Sequence, residues 1–143
     1  MVKVKAYKSA DIKQIPNRIS DSEVITFLYS QEIDWSYMEK FKQLSFLKDE
    51  RISHLFNISV KTLRKYKNPE VKFKNNIKEK LILLLSLYKH GVELFGSVDE
   101  FNAWLDLENF YFDGAKPDSF LTTVTGVRFV DDRLTAMEYG DNV

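Results

Sequence analysis

Between Asn75 and Gly96 the apolar residues Ile77, Leu81, Leu84, Leu85, Tyr88, Val92 and Phe95 recur at helical spacing and form one continuous stripe. The stripe predicts a single helix of about five turns, closed at Gly96, where glycine suits a left-handed helix exit. A helix this apolar must be covered, so the rest of the chain has to pack around it, and a second copy can supply part of the cover. With 143 residues, 44% of them hydrophobic, there is material for one compact domain or two small ones sharing a core. The densest apolar run, Leu81 to Leu87, is flanked by Lys78, Lys80 and Lys89 and is far shorter than the roughly 20 residues of a membrane span. No membrane partner is therefore expected. Met1 to Lys13 carries four lysines with no apolar stretch after them, unlike a secretory signal. The absence of cysteine excludes disulfide scaffolds and thiolate zinc sites, and a cytoplasmic location is the expectation.

The remaining pattern is helical as well. Ser20 and Glu23 have capping-box spacing ahead of a short helix over about 21–29. Asp34 can cap a second helix that presents Trp35, Met38, Phe41 and Leu44, with Ser36 and Glu39 as a rival box two residues on. Lys48 to Phe56 and Val60 to Tyr66 read as two helices around a tight turn at Asn57, a residue that tolerates the left-handed conformation. Ser59 can cap the second of them, and inward-facing Ser53 lets the pair approach closely. This is the signature of a helix-turn-helix. Asn68-Pro69 ends it and marks a module boundary. Beyond the long helix, Ser97 and Glu100 open a short helix with Phe101, Trp104 and Leu105, and 107–115 forms a connecting loop. Pro117 opens another short helix behind the poor cap Lys116. Thr123 caps a last helix with Val127, Val130, Leu134 and Met137, ending near Tyr139-Gly140. Val2 to Tyr7 fits a brief strand or a mobile arm equally well.

Little here supports catalysis. His54 and His90 have no carboxylate or second histidine at metal-ligand spacing, and neither is expected to be a ligand or a base. There is no nucleophile elbow and no phosphate-cradling glycine loop. Asp131-Asp132 and Asp99-Glu100 are adjacent pairs whose members point apart on a helix, and they read as a solvated face. No enzyme, cofactor or metal is expected.

Charge is more informative than the net value of zero suggests. Lys61 to Lys80 holds eight basic residues against two acidic ones, whereas Gly91 to Val143 holds three against eleven. The first suits a polyanion and the second repels it. Ser59, Lys61, Thr62, Arg64, Lys65 and Lys67 cluster on and beside the second helix of the pair and are the candidate DNA contacts. The competing reading is a solvated basic face, or one balanced by the acidic half. Three successive aromatics, Phe110 to Phe112, cannot all point inward from a loop, so at least one is exposed or covered by a partner.

Gly91-Val92-Glu93-Leu94-Phe95-Gly96, Ala103-Trp104-Leu105, Gly114 to Pro117 with Phe120-Leu121, Thr123 to Val130 with Gly126, and Met137-Glu138-Tyr139-Gly140 occur in succession. In that order they resemble the C-terminal domain of Xre/MbcA/ParS-family antitoxins. Ile52 to Lys67, with Ile58-Ser59 and Thr62-Leu63-Arg64, resembles the Xre-like helix-turn-helix of the same family. Asn57 stands where a glycine is common, and Lys116 where a hydroxyl cap often occurs. The resemblance, over about 20–140, implies an all-α chain. An N-terminal arm over 1–19 leads to an Xre-like helix-turn-helix bundle over 20–69, then a small helical toxin-binding domain over 70–143 that begins with the long helix. It implies a type II antitoxin whose C-terminal domain covers the active-site entrance of a RES-type, NAD-consuming toxin. The helix-turn-helix would bind the operator of its own operon, as a homodimer.

Carried over by position, the toxin-binding candidates are Gly114, Lys116, Pro117, Arg133, Glu138, Tyr139, Gly140 and Asp141. Helix termination accounts equally well for Gly114, Pro117 and Gly140. The acidic half would be repelled by DNA yet suit a basic groove leading to a site for anionic NAD. Two rivals remain open: a transcriptional regulator whose C-terminal half only oligomerises or senses a ligand, and a protein-binding module that has lost DNA contact.

Overall fold

The long apolar stripe becomes the centre of the molecule. In the computed structural model, which describes residues 11–140, seven α-helices follow one another: α1 (Asp21–Ser30), α2 (Trp35–Ser45), α3 (Asp49–Leu55), α4 (Val60–Lys65), α5 (Asn75–Phe95), α6 (Val98–Leu105) and α7 (Val124–Glu138). Short 3-10 turns occupy Ile12–Gln14, Phe110–Phe112 and Pro117–Phe120. There is no strand among the described residues, and the Val2 to Tyr7 segment lies outside them. The all-α expectation holds.

Helix α5 packs against α1 and α2 and also against α6 and α7. Leu81, Ile82, Leu83, Leu84 and Leu85 are all fully buried, five residues in a row, so the middle of this helix is covered on every side, while Asn75, Asn76 and Glu93 near its ends are exposed. Each such side chain contributes about 1.5–3 kcal/mol of burial. Gly91 lies so close to the Phe101 ring that a Cβ there would collide with it, which brings α6 tightly across α5 at 106°. A chain of edge-on rings runs from Phe41 to Tyr88 (5.5 Å between centroids) and from Tyr88 to Phe101 (5.0 Å). The Tyr88 hydroxyl donates to Asn102 Oδ1 at 2.7 Å, and Asn102 Nδ2 donates to the Ser45 carbonyl at 2.9 Å. These bonds satisfy polar groups between α2, α5 and α6.

Local punctuation follows the sequence in most places. Asp34, Ser59, Ser97 and Thr123 each accept a backbone N–H in the first turn of the helix they precede. Asn57 sits at φ 57° in the α3–α4 turn, as its residue type predicts. Ser20 departs from the expected capping box: it precedes α1 but makes no side-chain cap bond, and its hydroxyl lies instead 3.4 Å from that of Ser22. Within the segment read as an N-terminal arm, residues from Ile12 onward lie against α5. Ile15 is buried, the Pro16 carbonyl accepts from Ser86 Oγ at 2.7 Å, and Lys89 Nζ donates to the carbonyls of Ile12 and Ile15.

Among the described residues no single helix is long and apolar enough to cross a membrane. The apolar pair α5 and α6 is bent at a sharp angle, and its leucines and aromatics form the core.

Candidate functional site

Two faces carry the residues singled out by sequence. The first is the α3–α4 pair. Ser59 Oγ accepts the Thr62 N–H at 3.0 Å and also lies 3.0 Å from Thr62 Oγ1, so both hydroxyls serve the helix start. Lys61, Arg64, Lys65 and Lys67 are exposed. Lys61, Arg64 and Lys65 share one side of α4 by their i, i+3, i+4 spacing. Arg64 is engaged within the chain: its Nε donates to Asp49 Oδ2 at 3.2 Å, while Lys42 reaches the other oxygen at 2.6 Å. Hydrogen bonding from Lys42, reinforced by Arg64 against the opposing cost of burial, holds the Asp49 carboxyl below its ordinary range. Lys67 lies over the Trp35 ring at 5.8 Å. Among the described residues Lys61 and Lys65 make no ion pair, which leaves them the most available cations of this face.

The second face runs from the 107–117 loop to α7. The loop is closed on itself, because Asn109 N–H donates to the Ala115 carbonyl and Gly114 N–H returns to the Asn109 carbonyl. Asn109 Oδ1 accepts the Tyr111 N–H at 2.9 Å. The 3-10 turn then sorts the three aromatics. Phe112 is 1% exposed, in edge-on contact with Trp104, Phe120 and Phe129, while Phe110 is 88% and Tyr111 41% exposed. The expected exposed aromatic is therefore present twice. Leu107 and Phe129 extend the apolar patch. Gly114 and Lys116 are exposed, Lys116 meets Asp106 at 3.1 Å, and Pro117 is buried. Arg133 is largely buried, its guanidinium stacked 3.4 Å from the centre of the Tyr111 ring. Asp141 lies outside the described residues.

One cluster departs from the pattern expected of the sequence. Asp131 does not belong to a solvated face: it is 3% exposed, and its Oδ2 accepts the Ile19 N–H at 3.0 Å. Its Oδ1 lies 2.7 Å from His90 Nδ1, and the other ring nitrogen of His90 bonds Glu138, which in turn bonds Arg18. His90, read as an isolated histidine, is thus clamped between two carboxylates. Burial lowers its pKa, but hydrogen bonding and charge from Asp131 and Glu138 outweigh it and raise the imidazole above its ordinary value. Arg18 also lies 5.9 Å from the centre of the Tyr139 ring, leaving Tyr139 and Gly140 exposed at the end of α7. The overlooked signal was spacing. Asp131 follows Val127 by four residues and Glu138 follows Leu134 by four, so both carboxylates fall on the apolar stripe of α7. His54, by contrast, is exposed. Among the described residues no group of histidine and carboxylate side chains could hold a metal ion.

Asp99 and Glu100 on α6, and Asp106, Glu108 and Asp113 beside or within the loop, are exposed, so acidic side chains accompany the exposed aromatics in this half of the chain, whereas Asp132 lines a separate hollow with Ile19, Asp21 and Arg128. Residues 90–140, which span the end of α5, all of α6, the loop and α7, match the family model of the antitoxin Xre/MbcA/ParS C-terminal toxin-binding domain. No curated protein matches the chain.

Proposed function

Because residues 90–140 are similar to an antitoxin's toxin-binding domain, we propose that this chain neutralises a toxin by binding it, through the aromatic face of the 107–117 loop and α7. The observation that carries this is the coincidence of the matched residues with a preformed exposed patch. Phe110 stands clear of a loop whose backbone is already closed, and Tyr111 is partly exposed and held on Arg133, so little ordering entropy remains to be lost on docking. Aromatic side chains on a rigid loop with an apolar centre and polar rim are the usual anchors of a protein interface. Gly114 and Lys116 in the same loop, and Tyr139 and Gly140 at the exposed end of α7, are further candidate contacts. Arg133 positions Tyr111, and Glu138 anchors the end of α7.

The finer reading is that the partner is a RES-type, NAD-consuming toxin, occluded at its active-site entrance. The exposed carboxylates of α6 and the loop suit a basic approach to an anionic substrate. In the same reading α3 and α4 form a helix-turn-helix that binds operator DNA and represses the operon. Lys61 and Lys65 lead there, with Ser59, Thr62, Arg64 and Lys67 beside them. A homodimer would present two such helices to two half-sites. The function is then binding and occlusion, in the cytoplasm, with no catalytic step of its own.

The test is growth of cells in which the adjacent gene is induced, with the full chain or its Phe110→Asp variant. The full chain should restore growth and co-purify with the neighbour. F110D should do neither while melting at the same temperature, because Phe110 contributes nothing to the core. Rescue by F110D would remove the patch from the reading and leave the antitoxin role. A harmless neighbour that does not co-purify would replace the antitoxin reading with that of a transcriptional regulator.

A further inference from the structure

A cleft of about 420 Å³ lies between the α3–α4 turn, α4, the first turns of α5 and the start of α7. Its polar wall includes Asn57, Thr62, Tyr66, Lys74, Asn76 and Lys80, with no carboxylate among the lining residues. Lys80 is the unusual member. It is only 6% exposed, yet among the described residues it has no ion-pair partner. Its ammonium donates to the Thr122 carbonyl and lies 5.9 Å from the centre of the Phe56 ring. The same carbonyl also accepts from Asn57 Nδ2 at 3.0 Å, so both its lone pairs are taken. An ammonium carries three donors, and among the described residues only one acceptor, the Thr122 carbonyl, meets that of Lys80. Burial alone pushes its pKa down, to about 8, so it is still mostly charged at neutral pH. The molecule's other deeply buried charges differ: His90 and Asp131 face each other, and Arg133 stacks on Tyr111.

A buried cation without a counter-charge is costly unless something outside the chain completes it. The cleft supplies further donors at the same place. Lys74 precedes this 21-residue helix without a side-chain cap bond, and Lys74 and Asn76 line the opening at the positive end of its dipole. Two lysines and the amides of Asn57 and Asn76 offer more donors than a carboxylate's two oxygens can use and match a doubly charged tetrahedral anion. We propose that this cleft is a binding site for a phosphate group, held by Lys80 from below and by Lys74 and Asn76 from the side. The proposal stands whether or not α4 reads DNA, and the phosphate can belong either to a small phosphoester or to a nucleic-acid backbone.

The test titrates the full chain with inorganic phosphate and with adenosine monophosphate, at ionic strength matched by sodium chloride, by calorimetry. Three variants accompany it: Lys80→Met, Asn76→Glu and, as a control of equal charge outside the cleft, Asn75→Glu. Both asparagines are exposed in the first turn of α5, where a carboxylate favours the helix, so neither glutamate threatens folding even if K80M does. Saturable binding should appear in the wild type and N75E and weaken at least tenfold in N76E and K80M. A parallel titration of a random-sequence DNA duplex separates the sources. A backbone phosphate in the cleft predicts that N76E, but not N75E, weakens duplex binding and lowers its salt slope by about one. A small phosphoester predicts unchanged duplex binding with lost adenosine monophosphate binding. If N76E and N75E are indistinguishable in every titration, or the wild type binds nothing saturably, the site does not exist.

Discussion

Replacing His90 by phenylalanine tests the clamp that joins the chain before α1 to α5 and α7. The substitution keeps an aromatic ring of similar size, so the loss is of charge and hydrogen bonds rather than of volume. His90 and Asp131 are 1% and 3% exposed respectively. In the variant Asp131 retains the Ile19 N–H but loses its counter-ion, and breaking a buried pair at one partner costs about 3–5 kcal/mol. Glu138 keeps Arg18 and adds little to that figure. Against a domain stability of about 5–15 kcal/mol, the loss is large enough to measure directly by urea unfolding at pH 6. The pH dependence adds a signature. His90 holds its proton in the folded state above the ordinary imidazole value of 6.5, whereas the unfolded chain releases it near 6.5. The stabilisation is thus complete below about pH 6.5 and is lost as pH rises through the folded value. The gap between wild type and H90F should therefore narrow on going from pH 6 to alkaline pH. The double variant H90F/D131N, which removes both charges while the amide oxygen introduced at position 131 can still accept the Ile19 N–H, should recover most of the stability. A gap below about 1 kcal/mol at pH 6, or one that does not narrow as pH rises, would show that the clamp contributes nothing as an ion pair.

Two other outcomes follow from the same structure. Gly126→Ala places a Cβ inside the contact radius of the Phe120 carbonyl oxygen and 2.8 Å from its carbonyl carbon. Backbone has to move, so the loss should reach about 3 kcal/mol, read as a fall in thermal midpoint, and an unchanged midpoint would mean that α7 starts elsewhere. On the helix pair, Lys61→Ala with Lys65→Ala should lower duplex DNA affinity and reduce the salt slope by about two. An unaffected slope, measured by fluorescence anisotropy over a range of salt, would turn the proposal toward a pure protein-binding module.

The elements were legible because their signals are local. Asp34, Ser59, Ser97 and Thr123 announce helix starts through their own side chains, and Asn57 and Gly96 announce exits through the backbone each residue tolerates. Phe110 to Phe112 had to divide between core and solvent, because three consecutive side chains cannot share one direction. Which of them would be buried was not readable. That depended on Trp104, Phe120 and Phe129, distant in sequence, closing around Phe112.

The functional details were less visible for the same reason. Taken locally, His90 has no partner and Asp131 looks solvated; folding brings them together across 41 residues. Lys80 reads as one more surface lysine until α4, α5 and the start of α7 bury it without a counter-charge. Capping, turn preference and apolar periodicity act within a few residues, so the order and type of the helices are written along the chain. Electrostatic pairing depends on distance and burial, and both exist only after α5 has been enclosed on every side.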